Sequence, residues 1–143
     1  MRVIAIVVLT LGLSACSGSQ QAANQAALEA SAEAKIGSIP AANPHVYGGA
    51  RESKAWRNPY LVVRPDGIGL VDLPNHEIHI LKPEEVTQAL AKLPASDWPY
   101  GRVVAVEELG GSQEDKVRIR ANKGLVVATL KQLGVGIEWV PAS

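Results

Sequence analysis

The chain has 143 residues, with fourteen Lys and Arg balanced by fourteen Asp and Glu. Because the formal charge is zero, no single-signed field draws the chain onto nucleic acid, and we expect no nucleic-acid partner. The single cysteine excludes a disulfide within one chain. Phe is absent, so a core must be built mainly from Val, Leu, Ile and Ala.

The first sixteen residues carry the pattern of an export signal. Arg2 precedes an apolar run over residues 3–12. This run is shorter than the roughly 20 apolar residues that a transmembrane helix needs. The motif LSAC at residues 13–16 follows it and resembles the lipobox of bacterial lipoproteins at all four positions. An incidental thiol is the alternative interpretation of Cys16.

The lipobox resemblance implies cleavage after Ala15, which removes residues 1–15 as a signal peptide. It also implies that the Cys16 thiol receives a diacylglyceryl group. Each buried CH₂ contributes about 0.8 kcal/mol, so two or three acyl chains would hold the protein on a membrane. Ser17 follows the cysteine where Asp would imply retention in the inner membrane. In a Gram-negative host, the resemblance therefore implies the outer membrane, on its periplasmic face.

Residues 16–58 are predicted to form the lipidated N-terminus and a flexible tether. The segment is rich in Ala, Gln, Ser, Asn and Gly and has few large aliphatic residues, so it has little to bury. The Ala-rich stretch at 20–35 favours only transient helix, because it shows no amphipathic stripe. The alternative is a partner-binding segment built on Val46, Tyr47, Trp56 and Tyr60.

Residues 59–143 are predicted to form a small α+β domain. Three β-rich runs at 60–63, 68–73 and 76–81 are separated by the turn signals PDG at 65–67 and PN at 74–75, which indicates three short strands. A helix is predicted over 83–93. Pro83 suits its first position, and its apolar face must pack on something, with the sheet as the obvious candidate.

The remaining residues supply a strand, a helix and a strand. The nearly continuous apolar run at 102–107 predicts a central strand. Ser112, followed by Asp115, is typical of a helix cap, and we predict a helix from Gln113 to Leu133. Alternation of apolar and charged residues keeps a strand open as the alternative for 113–122. A last strand at 137–140 completes the order β-β-β-α-β-α-β, a small mixed sheet with two helices packed on it.

This element order, together with the LKQLGV sequence that ends the second helix, resembles the periplasmic domain of biopolymer-transport and Tol-type accessory proteins. The resemblance covers roughly residues 60–140. We carry over no functional residue from it.

One cluster of residues suggests a metal or an acid–base site, namely His76 and His79 with Asp72 and Glu77 nearby. On a strand, side chains alternate between the two faces, so His76 and His79 would point in opposite directions. No zinc, nucleophile-elbow or Walker motif occurs elsewhere. We therefore predict no catalytic residue, no metal ligand and no cofactor.

The largest side chains of the predicted domain are Trp98, Tyr100 and Trp139. We expect them to close the ends of a thin core, and an exposed recognition patch is the alternative.

These patterns together predict a membrane-anchored, non-enzymatic envelope lipoprotein that binds a protein or peptidoglycan partner. The competing hypothesis is a lipoprotein enzyme or small-ligand carrier with a pocket near the strand that bears His76 and His79.

Overall fold

The computed structural model describes residues 17–48 and 55–141, and the signal-like segment and Cys16 lie outside these ranges. The helices are α1 (Ser17–Gly37), α2 (Pro44–Tyr47), α3 (Val86–Lys92) and α4 (Gln113–Gln132). The strands are β1 (Tyr60–Arg64), β2 (Gly67–Asp72), β3 (Glu77–Leu81), β4 (Val103–Glu108) and β5 (Gly136–Val140). The predicted α+β class is confirmed.

The five strands form one mixed sheet in the order β3-β2-β1-β4-β5. The first three strands pair antiparallel, while β4 runs parallel to both β1 and β5. The predicted central strand is confirmed, because β4 has neighbours on both sides and residues 103–106 are buried. Its near-continuous apolar run reflects this burial on both faces.

Helices α1, α3 and α4 cover one face of the sheet, which we call the helix face. Leu61 and Val63 of β1 lie on it, opposite Leu70 and Ile68 of β2. These strand residues share a core with helical side chains. The helical members are Ala32, Ile36, Val86, Leu90, Ala91, Ile119, Val126 and Leu130.

On the opposite face of the sheet, two large apolar side chains of β3 are exposed. Ile78 and Ile80 of β3 lie on this face and are 46% and 44% exposed. Gly69 of β2 lies beneath Ile78, and a Cβ atom at Gly69 would come within 2.6 Å of the Ile78 Cγ2 atom. The glycine therefore gives Ile78 room to lean across β2.

The structure differs from the predicted flexible tether over much of residues 17–58. Ala32 and Ile36 near the end of α1 are buried in the core, and Gln88 of α3 donates a 2.9 Å hydrogen bond to the Leu28 carbonyl. The two apolar residues are four apart, so they share one helix face. A longer apolar stripe on α1 is not needed, because α3 and α4 supply most of the helical side chains in the core.

The predicted helix from Gln113 is confirmed, and residues 113–122 form no strand. Ser112 caps it: its Oγ accepts from the Asp115 amide at 3.1 Å, and Asp115 Oδ2 accepts from the Ser112 amide at 3.1 Å. Hydrogen bonds from the Ser112 hydroxyl and amide lower the pKa of the Asp115 carboxyl. Within residues 17–48 and 55–141, no helix has the length and hydropathy needed to cross a membrane.

Candidate functional site

A cleft of about 640 Å³ opens at the end of the sheet where β2 ends and β3 begins. Three chain segments and one strand residue line it. The segments contribute Trp56, Arg57, Asn58 and Pro59 before β1; residues 70–74 at the end of β2; and Leu93, Ser96, Asp97 and Pro99 after α3. His79 of β3 completes the lining. Its volume lies within the range of small-ligand sites.

The first wall exists because β1 stops short of the end of β2. Tyr60 pairs with Val71, and the preceding Pro59 has no amide hydrogen to extend the ladder. The Asn58 side chain then holds the chain against β4, with Nδ2 donating to the carbonyls of Gly101 and Val103, both at 2.7 Å. Asn58 thereby draws residues 56–59 away from the end of β2 and leaves a gap beside it.

The second wall follows α3. The helix ends at Lys92, and Leu93 adopts an extended backbone before Pro94. A short 3₁₀ turn over Ala95–Asp97 then leads to Trp98, which is buried in the core. The burial of Trp98 anchors this turn, so Ser96 and Asp97 face the cleft.

Charged and polar groups from different elements meet in the cleft. Asp72 of β2 lies directly opposite Glu77 of β3, and like charges in that position destabilise a strand pair. Asn75 donates a 2.7 Å hydrogen bond to Asp72 Oδ2, whereas the Ser96 hydroxyl makes only a 3.4 Å contact with Asp97 Oδ1. Arg57 has no hydrogen bond or ion pair with any described residue.

Three aromatic rings brace the chain next to the cleft. Trp56 lies 5.7 Å from Tyr47 and 5.3 Å from Tyr100 between ring centroids, both in edge-on arrangements. The Tyr100 hydroxyl also donates to the Ala55 carbonyl at 3.1 Å. Trp56 belongs both to this cluster and to the cleft wall, so the cluster holds one side of the site in place.

The structure separates the two candidate histidines. His76 lies in the turn before β3, with a φ of 58°, rather than on the strand as predicted. Its amide closes that turn by donating to the Asp72 carbonyl at 2.7 Å. His79 lies on the helix face opposite Leu70 and lines the cleft. Within the described ranges, no group of three or more His, Cys, Asp and Glu side chains is placed to hold a metal ion.

The large aromatic residues have different environments. Trp98 is buried in the core, as predicted, and Tyr100 joins the cluster beside the cleft. Trp139 on β5 is 44% exposed, so it does not close the core. The Lys123 ammonium lies 4.4 Å from its ring centroid and also pairs with Glu108. This cation–π contact covers part of the ring.

Sequence reasoning missed Arg57, Ser96 and Asp97 as site residues. They belong to irregular segments with no catalytic or metal-binding spacing, and tertiary contacts alone bring them together. The one local signal was Trp56, an aromatic residue in a segment otherwise rich in small and polar residues.

Comparison with known proteins identifies no similar protein. No protein-family model matches the chain, and searches of curated proteins and of solved structures find no match.

Proposed function

We propose that this chain is a lipid-anchored, non-enzymatic protein of the bacterial cell envelope whose domain binds an envelope protein or peptidoglycan in the cleft. The cleft is the observation that carries the binding function, because it combines an aromatic wall, apolar walls and convergent charged groups. The LSAC motif at residues 13–16 supports the anchor. In a Gram-negative host, the serine after Cys16 favours the periplasmic face of the outer membrane.

The geometry of α1 supports a stand-off role for the residues that follow the anchor. The helix begins at Ser17, directly after Cys16, and residues 18–31 are all exposed. Gln88 of α3 already bonds the Leu28 carbonyl, so the part of α1 before Leu28 is the candidate spacer, and at 1.5 Å per residue it spans about 15 Å. A helical spacer of this length would hold the domain away from the lipid surface while the last turns of α1 pack on it.

The anchor is tested by metabolic labelling with palmitate followed by membrane fractionation. We expect the unmodified chain to be labelled and membrane-bound, and Cys16→Ser to lose both properties. Ser17→Ala is the matched control, because it changes a neighbouring small polar residue and keeps the thiol. Unchanged labelling and membrane association of Cys16→Ser would contradict the lipid anchor.

The binding function is tested with a photo-crosslinking residue placed at Ser96 in intact cells. Ser96 is exposed and lines the cleft, so we expect a discrete adduct that mass spectrometry identifies as an envelope protein or a peptidoglycan fragment. Ala128 on the solvent side of α4 is the control position. Trp56→Ala should reduce the Ser96 adduct. Equal adducts from both positions, or none from Ser96, would count against binding in the cleft.

One observation favours a second candidate function, that of a small-ligand carrier or enzyme. His79 shares the cleft with Asp72, Ser96 and Asp97, and these groups can exchange protons and bind polar ligands. Native mass spectrometry of the chain purified in detergent separates the two functions. A bound species of a few hundred daltons that is lost in His79→Ala would favour the carrier or enzyme.

A further inference from the structure

The charged groups of the cleft indicate the chemistry of its ligand. We propose that the cleft binds a short peptide segment that carries both a free ammonium group and a carboxylate. This inference rests on the proposed binding function and specifies the ligand. A stem peptide of the cell wall and the end of a protein chain both offer this chemistry.

The carboxylates of the cleft favour a cation from the ligand. Asp72 and Asp97 line the cleft, and Glu77 lies directly opposite Asp72. Among the described residues, none donates a hydrogen bond to Asp72 Oδ1 or to Asp97 Oδ2. A ligand ammonium placed here would relieve the repulsion between Asp72 and Glu77, and it would gain charge-assisted hydrogen bonds.

Arg57 provides the complementary charge. Arg57 lines the same cleft, and its side chain makes no hydrogen bond or ion pair with the described residues. Its planar donors match a carboxylate in two-point geometry. A purely anionic ligand would meet the carboxylates of Asp72 and Asp97, so a ligand with both charges suits the cleft better than a phosphate-rich one.

The remaining walls suit short aliphatic side chains. They include Pro59, Leu70, Leu73, Pro74, Leu93 and Pro99, beside Trp56. The volume of about 640 Å³ fits a few peptide residues rather than the surface of a folded domain.

The affinity is measured by calorimetry with the full chain in detergent micelles, and NMR locates the binding site. The probe is the tripeptide Ala-Lys-Ala with free ends, and its control is the same peptide with acetylated amines and an amidated carboxyl end. We expect the free peptide to shift the Trp56 indole and the Asp97 amide signals. Blocking the charges should weaken binding by about tenfold or more. Equal affinity for the two peptides, or no shift with about 10 mM free peptide, would overturn the inference.

Three variants test the charged residues. Asp97→Asn and Arg57→Gln should each raise Kd for the free peptide by about tenfold. Glu77→Gln should also weaken binding, and its urea midpoint should not fall, because a like-charge pair is removed. Glu84→Gln is the matched control, since Glu84 is an exposed carboxylate beyond the other end of β3. An effect of Glu84→Gln as large as that of Asp97→Asn would contradict the assignment.

Two further comparisons identify the source of the ligand and distinguish failure of this inference from failure of the proposed function. Muropeptides released from peptidoglycan are titrated beside Ala-Lys-Ala. Tighter binding of the muropeptides assigns the ligand to the cell wall, and tighter binding of the tripeptide assigns it to a protein; both orders support the inference. The inference fails and the proposed function stands if neither Ala-Lys-Ala nor the muropeptides bind the unmodified chain, while the Ser96 crosslink still forms in Arg57→Gln and Asp97→Asn. If the chain with no other change in the cleft gives no Ser96 crosslink, the proposed function itself fails.

Discussion

The Asn58 side chain donates a 2.7 Å hydrogen bond to the carbonyl of Val103, across 45 positions of sequence. The same Nδ2 atom donates to Gly101, and Oδ1 accepts from the Tyr100 amide at 2.9 Å. Asn58 is fully buried, so each of these bonds replaces one to water. The side chain therefore joins the segment before β1 to the start of β4 and shapes one wall of the cleft.

Replacing this amide should be costly. We expect Asn58→Ala to lower the free energy of unfolding by about 3 kcal/mol, because it leaves buried backbone groups without partners. Urea denaturation measures the change. Asn24→Ala, on the exposed part of α1, is the control and should change stability by less than about 0.5 kcal/mol. A loss below about 1 kcal/mol in Asn58→Ala would show that water replaces the side chain.

The packing of α1 is tested by two truncations on the same helix. Ile36 is fully buried and Leu28 is 58% exposed. We expect Ile36→Ala to destabilise the domain by about 3 kcal/mol and Leu28→Ala by less than about 1 kcal/mol. Thermal or urea unfolding provides both values. Similar small losses from the two variants would mean that α1 does not pack on the domain in solution.

Tyr60 should make stability fall at high pH. Its hydroxyl donates to Glu107 Oε2 at 2.7 Å, and burial, followed by this hydrogen bond and the charge of Glu107, raises the pKa of Tyr60. The protonated form is thus favoured in the folded state. Its stabilisation is complete below the pKa of an unfolded tyrosine, about 10, and is lost as the pH rises above it.

This pH dependence is isolated by comparing the unmodified chain with Tyr60→Phe in urea titrations at pH 8 and pH 11. The stability difference between the two chains should be larger at pH 8, because Phe cannot ionise and all other groups titrate in both. A difference that is unchanged between the two pH values would contradict the raised pKa.

Gly69 should resist substitution because Ile78 covers it. Gly69→Ala places a methyl group 2.6 Å from Ile78 Cγ2, and we expect a loss of about 1–3 kcal/mol. Adding Ile78→Ala removes the obstructing atom, so the double variant should cost less than the sum of the two single variants. Gly110→Ala is the control, since no atom of the described residues, its two chain neighbours aside, lies within 4 Å of its added Cβ. Additive losses would show that β2 and β3 shift apart instead.

Much of the domain was predictable because its signals are local. The PDG turn at 65–67, the Ser112 cap and the apolar run of β4 each act through residues close in sequence. The start of β3 was misplaced at His76, because that residue takes a left-handed turn conformation that a short alternating run does not reveal. The helical spacing of Val126 and Leu130 outweighed the alternation at 117–121, as the confirmed α4 shows.

The sequence by itself determined the α+β class, the order of the strands and helices after residue 59, and the LSAC motif on which the proposed anchor depends. Tertiary structure alone decided that the end of α1 belongs to the core, because Ala32 and Ile36 are buried where α1 packs on α3 and joins the core that the sheet and helices share. It also decided the cleft. Arg57, Asp72, His79 and Asp97 come from four separate segments, and contacts distant in sequence, such as Asn58 with β4 and Trp98 with the core, bring those segments together.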